Sequence, residues 1–576
     1  MSVDIESLLT KAHHLQQTGH LKEAIACYQQ LLARSPQHIE ALHCLGLAEA
    51  QCDCIPEAAI TLNRALELQP DNAILHNHLA NVYKKSHEFN QAITHYQKAL
   101  HLAPHYAQAH NNLAGVYALQ DHFQEALKHY GLAVHAEPDF VQAHYNLGLL
   151  LLKHNELAAA KIQFNNVLSL QPENAAASFY LGGLLLAENA LDEAEAAFND
   201  VLAHNSEHVE ALVNMGVIEL KREHGQLAID YFTKALGFDN HNEEARNNLA
   251  ATFIHHDRFE NALAHYNVLL QQHPHHIEYL YNAGVAQMAL GHLKEAMAHF
   301  NLILSLQADH FATLNNLAAI HIRLGERDEA ITLLQRALLA NPTDSASQFM
   351  LHALTGDNKN PEACPSYVSN LFNHYALYYD QHLQSTLHYA LPQHIGRLLH
   401  RLKLNTINHA LDLGCGTGLS GIVLRELTTH LTGVDIASKM LAEADKKGIY
   451  DKLIESELIS FLQTSEPSYD LAIAADVLPY LGELEPLFAA LSQRLHPQGF
   501  FIFSLEISDQ APWQLQSSTR FSHHPAYINN LCEEHGFKII EQEKVVARQQ
   551  NQQSLEVMLY CAQFMAARSI GDYPVN

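Results

Sequence analysis

The chain has 576 residues, too many for a single hydrophobic core, so two or more domains are expected. Its 62 acidic residues against 34 basic ones give a formal charge of −28, with no Lys/Arg run, which argues against nucleic acid as a main partner. No stretch approaches 18 consecutive apolar residues, so no membrane span is expected.

From residue 5 to residue 344 the sequence repeats every 34 residues, in ten units without insertion. The twentieth position is alanine in all ten units, from Ala24 to Ala330. Four residues on stand Tyr28, Leu62, Tyr96, Tyr130, Phe164, Phe198, Phe232, Tyr266, Phe300 and Leu334. A small residue lets two antiparallel helices approach, and a large one a turn later fills the space above it. Pro36, Pro70, Pro104, Pro138, Pro172, Pro274 and Pro342 stop helices near the unit ends, and Ser345–Leu354 reads as a capping helix. With its Leu-Gly/Ala pairs (Leu45–Gly46, Leu79–Ala80, Leu147–Gly148) the stretch 5–354 resembles a tetratricopeptide-repeat solenoid, an all-α array with an extended concave surface.

The sixth position of these units carries Asn112, Asn146, Asn214, Asn248, Asn282 and Asn316. In the repeat family this position looks into the concave groove, and the ladder resembles the one preceding the catalytic domain of the protein O-GlcNAc transferases. That resemblance implies a groove for the backbone of an extended protein or peptide partner, since an amide both donates and accepts hydrogen bonds. The alternative is that these side chains bond between adjacent helices.

Residues 355–365, TGDNKNPEACP, read as a linker. An aromatic helical segment follows, with Phe372, Tyr375, Tyr378 and Tyr379, and then a second helix, Tyr389–Leu402, with one apolar face. From residue 408 strands and helices alternate, as in a parallel sheet covered on both faces. The strands expected are Ala410–Asp412, Leu431–Asp435, Leu453–Ser456, Leu471–Ala475, Phe500–Leu505, Phe537–Val545 and Leu555–Phe564. The first runs into LDLGCGTG, whose Gly414, Gly416 and Gly418 alternate as where backbone turns sharply against a ligand. The spacing is not the G-x-G-x-x-G of nicotinamide and flavin sites.

Asp412, the alternating glycines and Asp435 closing LTGVD together resemble the class I S-adenosylmethionine-dependent methyltransferases. The phrases LFNHYALYYDQHL, LDLGCGTGLSG, GVDIASKMLAEADKKGIYD and AADVLPYLGEL extend this to bacterial predicted methyltransferases that carry tetratricopeptide repeats. The resemblance implies a Rossmann-like α/β domain over 366–576, seven-stranded in the order 3-2-1-4-5-7-6, with lid helices over 366–403. It implies S-adenosylmethionine as cofactor, held by Asp412, Gly414, Cys415, Gly416, Gly418, Asp435, Ile436, Glu457, Asp476 and Tyr379. Asp435 would accept from the ribose or, alternatively, cap the next helix; Glu457, where the family usually has Asp, would face the adenine. The aromatic segment would fold over the cofactor or, alternatively, dock on the sheet as an ordinary helix.

Methyl transfer from a sulfonium needs mainly alignment, with optional removal of a proton from the acceptor. The candidates at the acceptor are Asp476 and His523, with its neighbour His524, as bases and Tyr480 as pocket wall. No metal site is expected: no H-E-x-x-H or paired C-x-x-C occurs. The scattered cysteines read as thiols of a reducing compartment and the first residues lack a secretory leader, so a cytoplasmic location is expected. Three functions follow: methylation of a protein or peptide delivered by the repeats, methylation of a small molecule with the repeats docking a partner, or an adaptor with a non-catalytic domain.

Overall fold

In the computed structural model, residues 2–356, 363–381, 383, 387–404, 406–465, 468–509, 512–550 and 553–565 are described. The side chains of Tyr375 and Tyr378, most of the expected linker and residues 566–576 lie outside them.

Twenty helices run from Ser2–Gln17 to Arg327–Ala340, two per repeat, and Ser345–Thr355 caps them. Between the two helices of every repeat the fifteenth residue is left-handed. It is Gly19, Gly291 or Gly325 in three units and Asp53, His87, Asp121, Asn155, Asn189, Glu223 or Asp257 in the others. That single residue ends one helix so that the next can return antiparallel. The eighth position is tuned to the twenty-fourth. Where the latter is Phe164, Phe198, Phe232 or Phe300, a Cβ on the facing Gly148, Gly182, Gly216 or Gly284 would stand within 3.0 Å of the ring. Alanine faces Tyr96, Tyr130 and Tyr266, all buried. Two of these tyrosine hydroxyls meet an asparagine: Tyr96 donates to Asn81 at 2.5 Å, and Asn282 donates to Tyr266 at 3.0 Å.

By its internal contacts the chain divides into Met1–Thr252, with seven repeats and the start of the eighth, and Phe253–Asn576, which holds the remaining repeats and the α/β domain.

The domain's strands are β1 (Ile407–Leu413), β2 (Thr428–Asp435), β3 (Lys452–Glu455), β4 (Tyr469–Ala474), β5 (Leu495–Ile507), β6 (Trp513–Leu515), β7 (Phe521–His523), β8 (Phe537–Gln550) and β9 (Gln553–Phe564). The first five are parallel, in the order β3-β2-β1-β4-β5. β9, antiparallel to β5, and then β8, antiparallel to β9, continue the sheet, which is the expected seven-stranded order with β9 and β8 in its last two places. The short β6–β7 hairpin, absent from the sequence expectation, joins the carboxyl end of β5 through Glu506–Ser522 and Ile507–His523.

Side chains alternate across the sheet as the strand period requires. Leu411, Leu413, Ala472, Phe501 and Phe503 pack with Phe461, Phe488 and Leu491 on one face. Ala410, Leu471, Ile473 and Ile502 pack on the other with Leu391, Ile395, Leu398 and Leu399. Those last four belong to the helix Leu391–Arg401, which corrects the expectation of two lid helices: its apolar stripe is buried in the sheet. Within the same compact unit, Phe349 and Ala353 of the capping helix pack against Cys364, Leu515 and Phe521.

Candidate active site

The site is built at the carboxyl ends of β1, β2 and β4. After β1 the chain turns through Gly414 and Gly416 at φ of +66° and +53°. The turn is pinned to β2 by Gly414 and Cys415 N–H groups donating to the Val434 carbonyl at 2.7 and 3.0 Å. A Cβ on Gly414 would press on Val477, whereas at Gly416 it would meet nothing within 4 Å. Gly416 thus offers bare backbone to an open cradle.

Asp435, 7% exposed, ends β2. Its Oδ2 accepts from Gly416 N–H at 2.8 Å and its Oδ1 from Ala437 N–H at 2.9 Å, so one carboxylate ties the glycine turn to the following helix. Burial raises its carboxyl, and the donated backbone N–H groups oppose the rise. Glu457 caps the helix that follows it, accepting from Ile459 and Ser460 N–H groups at 3.1 and 2.8 Å.

The helix Pro365–Gln381 covers this floor. Ser369 Oγ donates to the Ile436 carbonyl at 3.3 Å, and Asn373 Oδ1 accepts from Lys439 N–H at 2.9 Å. Asp380 takes the Thr417 hydroxyl and, at 2.6 Å, the Lys447 ammonium. Lys439 also reaches back to the repeats, with its Nζ 2.9 and 3.1 Å from the Asp257 carboxylate oxygens.

Beyond β4, Asp476 sits in the left-handed region at φ +60°. Its N–H donates to Ser504 Oγ at 2.8 Å, Arg520 donates to its Oδ1, and Arg548 donates to its Oδ2 at 2.7 Å. Burial alone would raise this carboxyl, but the Arg520 and Arg548 guanidiniums overcome that and hold it below its ordinary value. Arg520 also donates to Glu506 at 2.5 Å and to Tyr480 Oη at 2.8 Å, with its Cζ 4.9 Å from the Tyr480 ring centroid.

One pocket gathers Gly414, Gly416, Asp435, Ile436, Glu457, Asp476, Tyr379 and Tyr480, together with Phe372, Val368 and Pro365 from the covering segment. Asp412, Cys415 and Gly418 do not line it. Asp412 lies beneath the turn, accepting from Tyr450 Oη at 2.7 Å, and burial pushes its carboxyl up to about 7. Cys415 is buried, which drives its thiol well up.

Two expectations about proton transfer are corrected. Asp476 faces the pocket, but both its oxygens are engaged by guanidiniums, which makes it a poor proton acceptor. His523 is fully buried away from the pocket; its Nε2 lies 2.9 Å from the Gly482 carbonyl, and burial lowers it to about 4. Arg520, Arg548 and Tyr450 were missed by sequence reasoning, because their partners lie 38 to 72 residues away in the chain. Among the asparagines, Asn112 donates to Asn77 and Asn81, Asn146 to Asn111, and Asn316 to Tyr281, at 2.9–3.3 Å. These are bonds between neighbouring helices, and they orient the amides. Among the described residues no cluster suited to a metal ion occurs, and no helix is long and apolar enough to cross a membrane.

Residues 411–501 match a methyltransferase-domain family, and tetratricopeptide-repeat families match 9–73, 71–134, 120–166, 145–203, 192–245, 247–312 and 287–355. Among curated proteins, the trans-aconitate 2-methyltransferase of Paracidovorax citrulli is 27% identical over 138 residues, 21% of this chain and 52% of that one. The malonyl-[acyl-carrier protein] O-methyltransferase of Bacillus anthracis is 30% identical over 138 residues, 23% and 50% of the two chains. The chain spans about half the length of these relatives. A solved structure, YrrB, a tetratricopeptide protein with an unusual peptide-binding site, is 27% identical, covering 32% of this chain and 95% of that one at a TM-score of 0.30.

Proposed function

We propose that this protein, a tetratricopeptide-repeat chain with a class I methyltransferase domain whose methyl donor is S-adenosylmethionine, methylates a protein or peptide recruited by its repeats. The observation that carries methyl transfer is the open cradle at Gly416 with Asp435 in its wall. A nucleoside lying on bare backbone there would leave both Asp435 oxygens a further lone pair for ribose hydroxyls. Gly414 and Gly416 would hold the amino-acid part, and Tyr379 and Phe372 would exclude water from above. When bound, S-adenosylmethionine supplies a methyl group already activated on a sulfonium sulfur. The residues of the chain then need only orient the acceptor and keep the site dry.

Recruitment by the repeats rests on the asparagines. Amides held by neighbouring helices at Asn112, Asn146, Asn282 and Asn316 are pre-organised for a peptide backbone, which reduces the entropy lost on binding. Each lost amide contact would cost about 0.5–1.5 kcal/mol. The test is transfer of labelled methyl groups into a lysate of the source cells by the intact chain and by an Asn214→Ala, Asn248→Ala, Asn282→Ala variant. Label in a discrete protein band, lost in the variant, supports recruitment.

A second reading, a small-molecule acceptor with the repeats docking a partner, is favoured by the name of the trans-aconitate relatives. Label only in the low-molecular-weight fraction, at equal rates for both forms, would select it. The complete glycine turn speaks against a non-catalytic adaptor. A cytoplasmic site of action fits eight free thiols.

A further inference from the structure

The acceptor end of the pocket has a carboxylate, Asp476, already bound by its own fold and a phenol, Tyr480, with a proton to give. From this we infer that the group methylated is a carboxylate, delivered already ionised, and that the product is a methyl ester. The inference rests on the methyl-transfer reading above and adds the chemistry of the acceptor.

Three acids line the pocket among the described residues: Asp435, Glu457 and Asp476. In each, both oxygens accept from donors of the fold: backbone N–H groups at Asp435 and Glu457, guanidiniums at Asp476. An amine acceptor arrives as an ammonium at neutral pH and must lose a proton before it can attack. Handing that proton to Asp435 or Glu457 would weaken the hydrogen bonds that shape the turn or cap a helix. Handing it to Asp476 would leave two buried guanidiniums facing a neutral acid. His523 lies outside the pocket.

The donors are arranged the other way. Arg520 donates to Tyr480 Oη at 2.8 Å, which occupies a lone pair of the phenol and turns its own hydrogen elsewhere. Tyr480 lines the pocket, so that hydrogen is available to an oxygen of the acceptor, and Tyr379 adds a second phenol to the pocket lining. The buried charges around Asp476 balance, with Arg520 and Arg548 against Asp476 and Glu506, so an incoming anion meets no uncompensated negative charge. Val368, Leu458, Val477 and Leu481 make the rest of the wall apolar, which strips water from a carboxylate and sharpens it as a nucleophile.

The step balances without a base. One carboxylate oxygen gives its electron pair to the methyl carbon as the carbon–sulfur bond opens onto sulfur. A methyl ester and a neutral thioether result, and no proton is released. Tyr480 holds the other carboxylate oxygen during the attack.

The experiment uses the full chain, tritium-methyl S-adenosylmethionine and a lysate of the source cells, split into precipitated protein and filtrate. Each fraction is treated with mild alkali and the volatile methanol is counted. The expected result is that transferred label leaves as methanol. Its source, precipitate or filtrate, tells a protein carboxyl from a small acid. Tyr480→Phe should lower transfer about tenfold or more, while calorimetric affinity for S-adenosylmethionine changes less than about twofold. Transfer should also stay level between about pH 6.5 and 8.5, where an amine acceptor would climb steeply. Label that survives alkali, or full-rate transfer by Tyr480→Phe, overturns the inference while leaving methyl transfer standing. Absence of S-adenosylmethionine binding would instead remove the reading on which it rests.

Discussion

Tyr450 Oη donates to Asp412 Oδ2 at 2.7 Å, and the Tyr450 ring fills the space that Gly418, Gly421 and Gly433 leave open. An acid 1% exposed is thereby kept under the glycine turn. Its carboxyl is pushed up to about 7 by burial, with Tyr450 opposing the rise and Asp435 adding to it.

A carboxyl raised on folding supports the fold below its unfolded value, and that support is lost as pH rises through the folded value. The domain should therefore lose stability between about pH 4 and 7, by on the order of a few kcal/mol from this group. Asp412→Asn removes the charge and keeps a partner for Tyr450. It should raise the Tm at pH 8 by several degrees and change it little at pH 4, as read by thermal denaturation at the two pH values.

The two glycines of the turn should separate folding from binding. Gly414→Ala places a Cβ 2.9 Å from Val477 Cγ1 at a positive φ, and should cost about 2–4 kcal/mol in urea unfolding. Gly416→Ala has open space and should cost only about 1–2 kcal/mol of backbone strain. Gly416→Val should stay folded and lose cofactor affinity, because its branches would fill the cradle.

Much of this was legible from the residues, and the failures have physical causes. The 34-residue period and the pairing of alanine with a large apolar or aromatic residue come from helix packing that each repeat must solve within itself, so every unit restates them. The left-handed fifteenth position escaped notice because Gly, Asp, Asn, His and Glu all satisfy it. The strands around the glycine turn are apolar runs and read directly, whereas three-residue β6 and β7 carry no period. Asp476 read as a candidate base because it ends β4; only the structure brings Arg520 and Arg548 onto its two oxygens.

The capping helix sets where the catalytic part can be cut. Phe349, 6% exposed, lies 6.1 Å ring to ring from Phe521 and packs on Leu515 and Cys364. Phe349→Ala should cost about 3–5 kcal/mol. A chain beginning at residue 253 should express as a soluble, cooperatively unfolding protein. One beginning at residue 365 should expose the Phe521 patch and aggregate, as followed by size-exclusion chromatography.

Paired histidines make the repeats within residues 1–252 acid-sensitive. His76 and His95 meet Nδ1 to Nδ1 at 3.0 Å, as do His110 and His129, while the matching His144 meets Gln163 at 2.8 Å. Burial lowers His95 and His129 to about 4, with the facing histidine adding to the effect. A base depressed on folding gives stability that is present above its unfolded value and lost as pH falls through the folded one. Melting of residues 1–252 should therefore fall between about pH 6.5 and 4. His95→Gln with His129→Gln, copying the Gln163 arrangement, should flatten that slope.

The central claim is that the cradle between Gly416 and Asp435 holds S-adenosylmethionine, and calorimetric titration of the full chain with that compound tests it most directly. The account predicts one-to-one binding. Asp435→Ala should weaken it by about 1–3 kcal/mol through lost charge-assisted hydrogen bonds, and His523→Gln, outside the pocket, should leave it unchanged. A folded chain giving neither binding heat nor a thermal shift, or one in which Asp435→Ala binds as tightly as the parent, would contradict it.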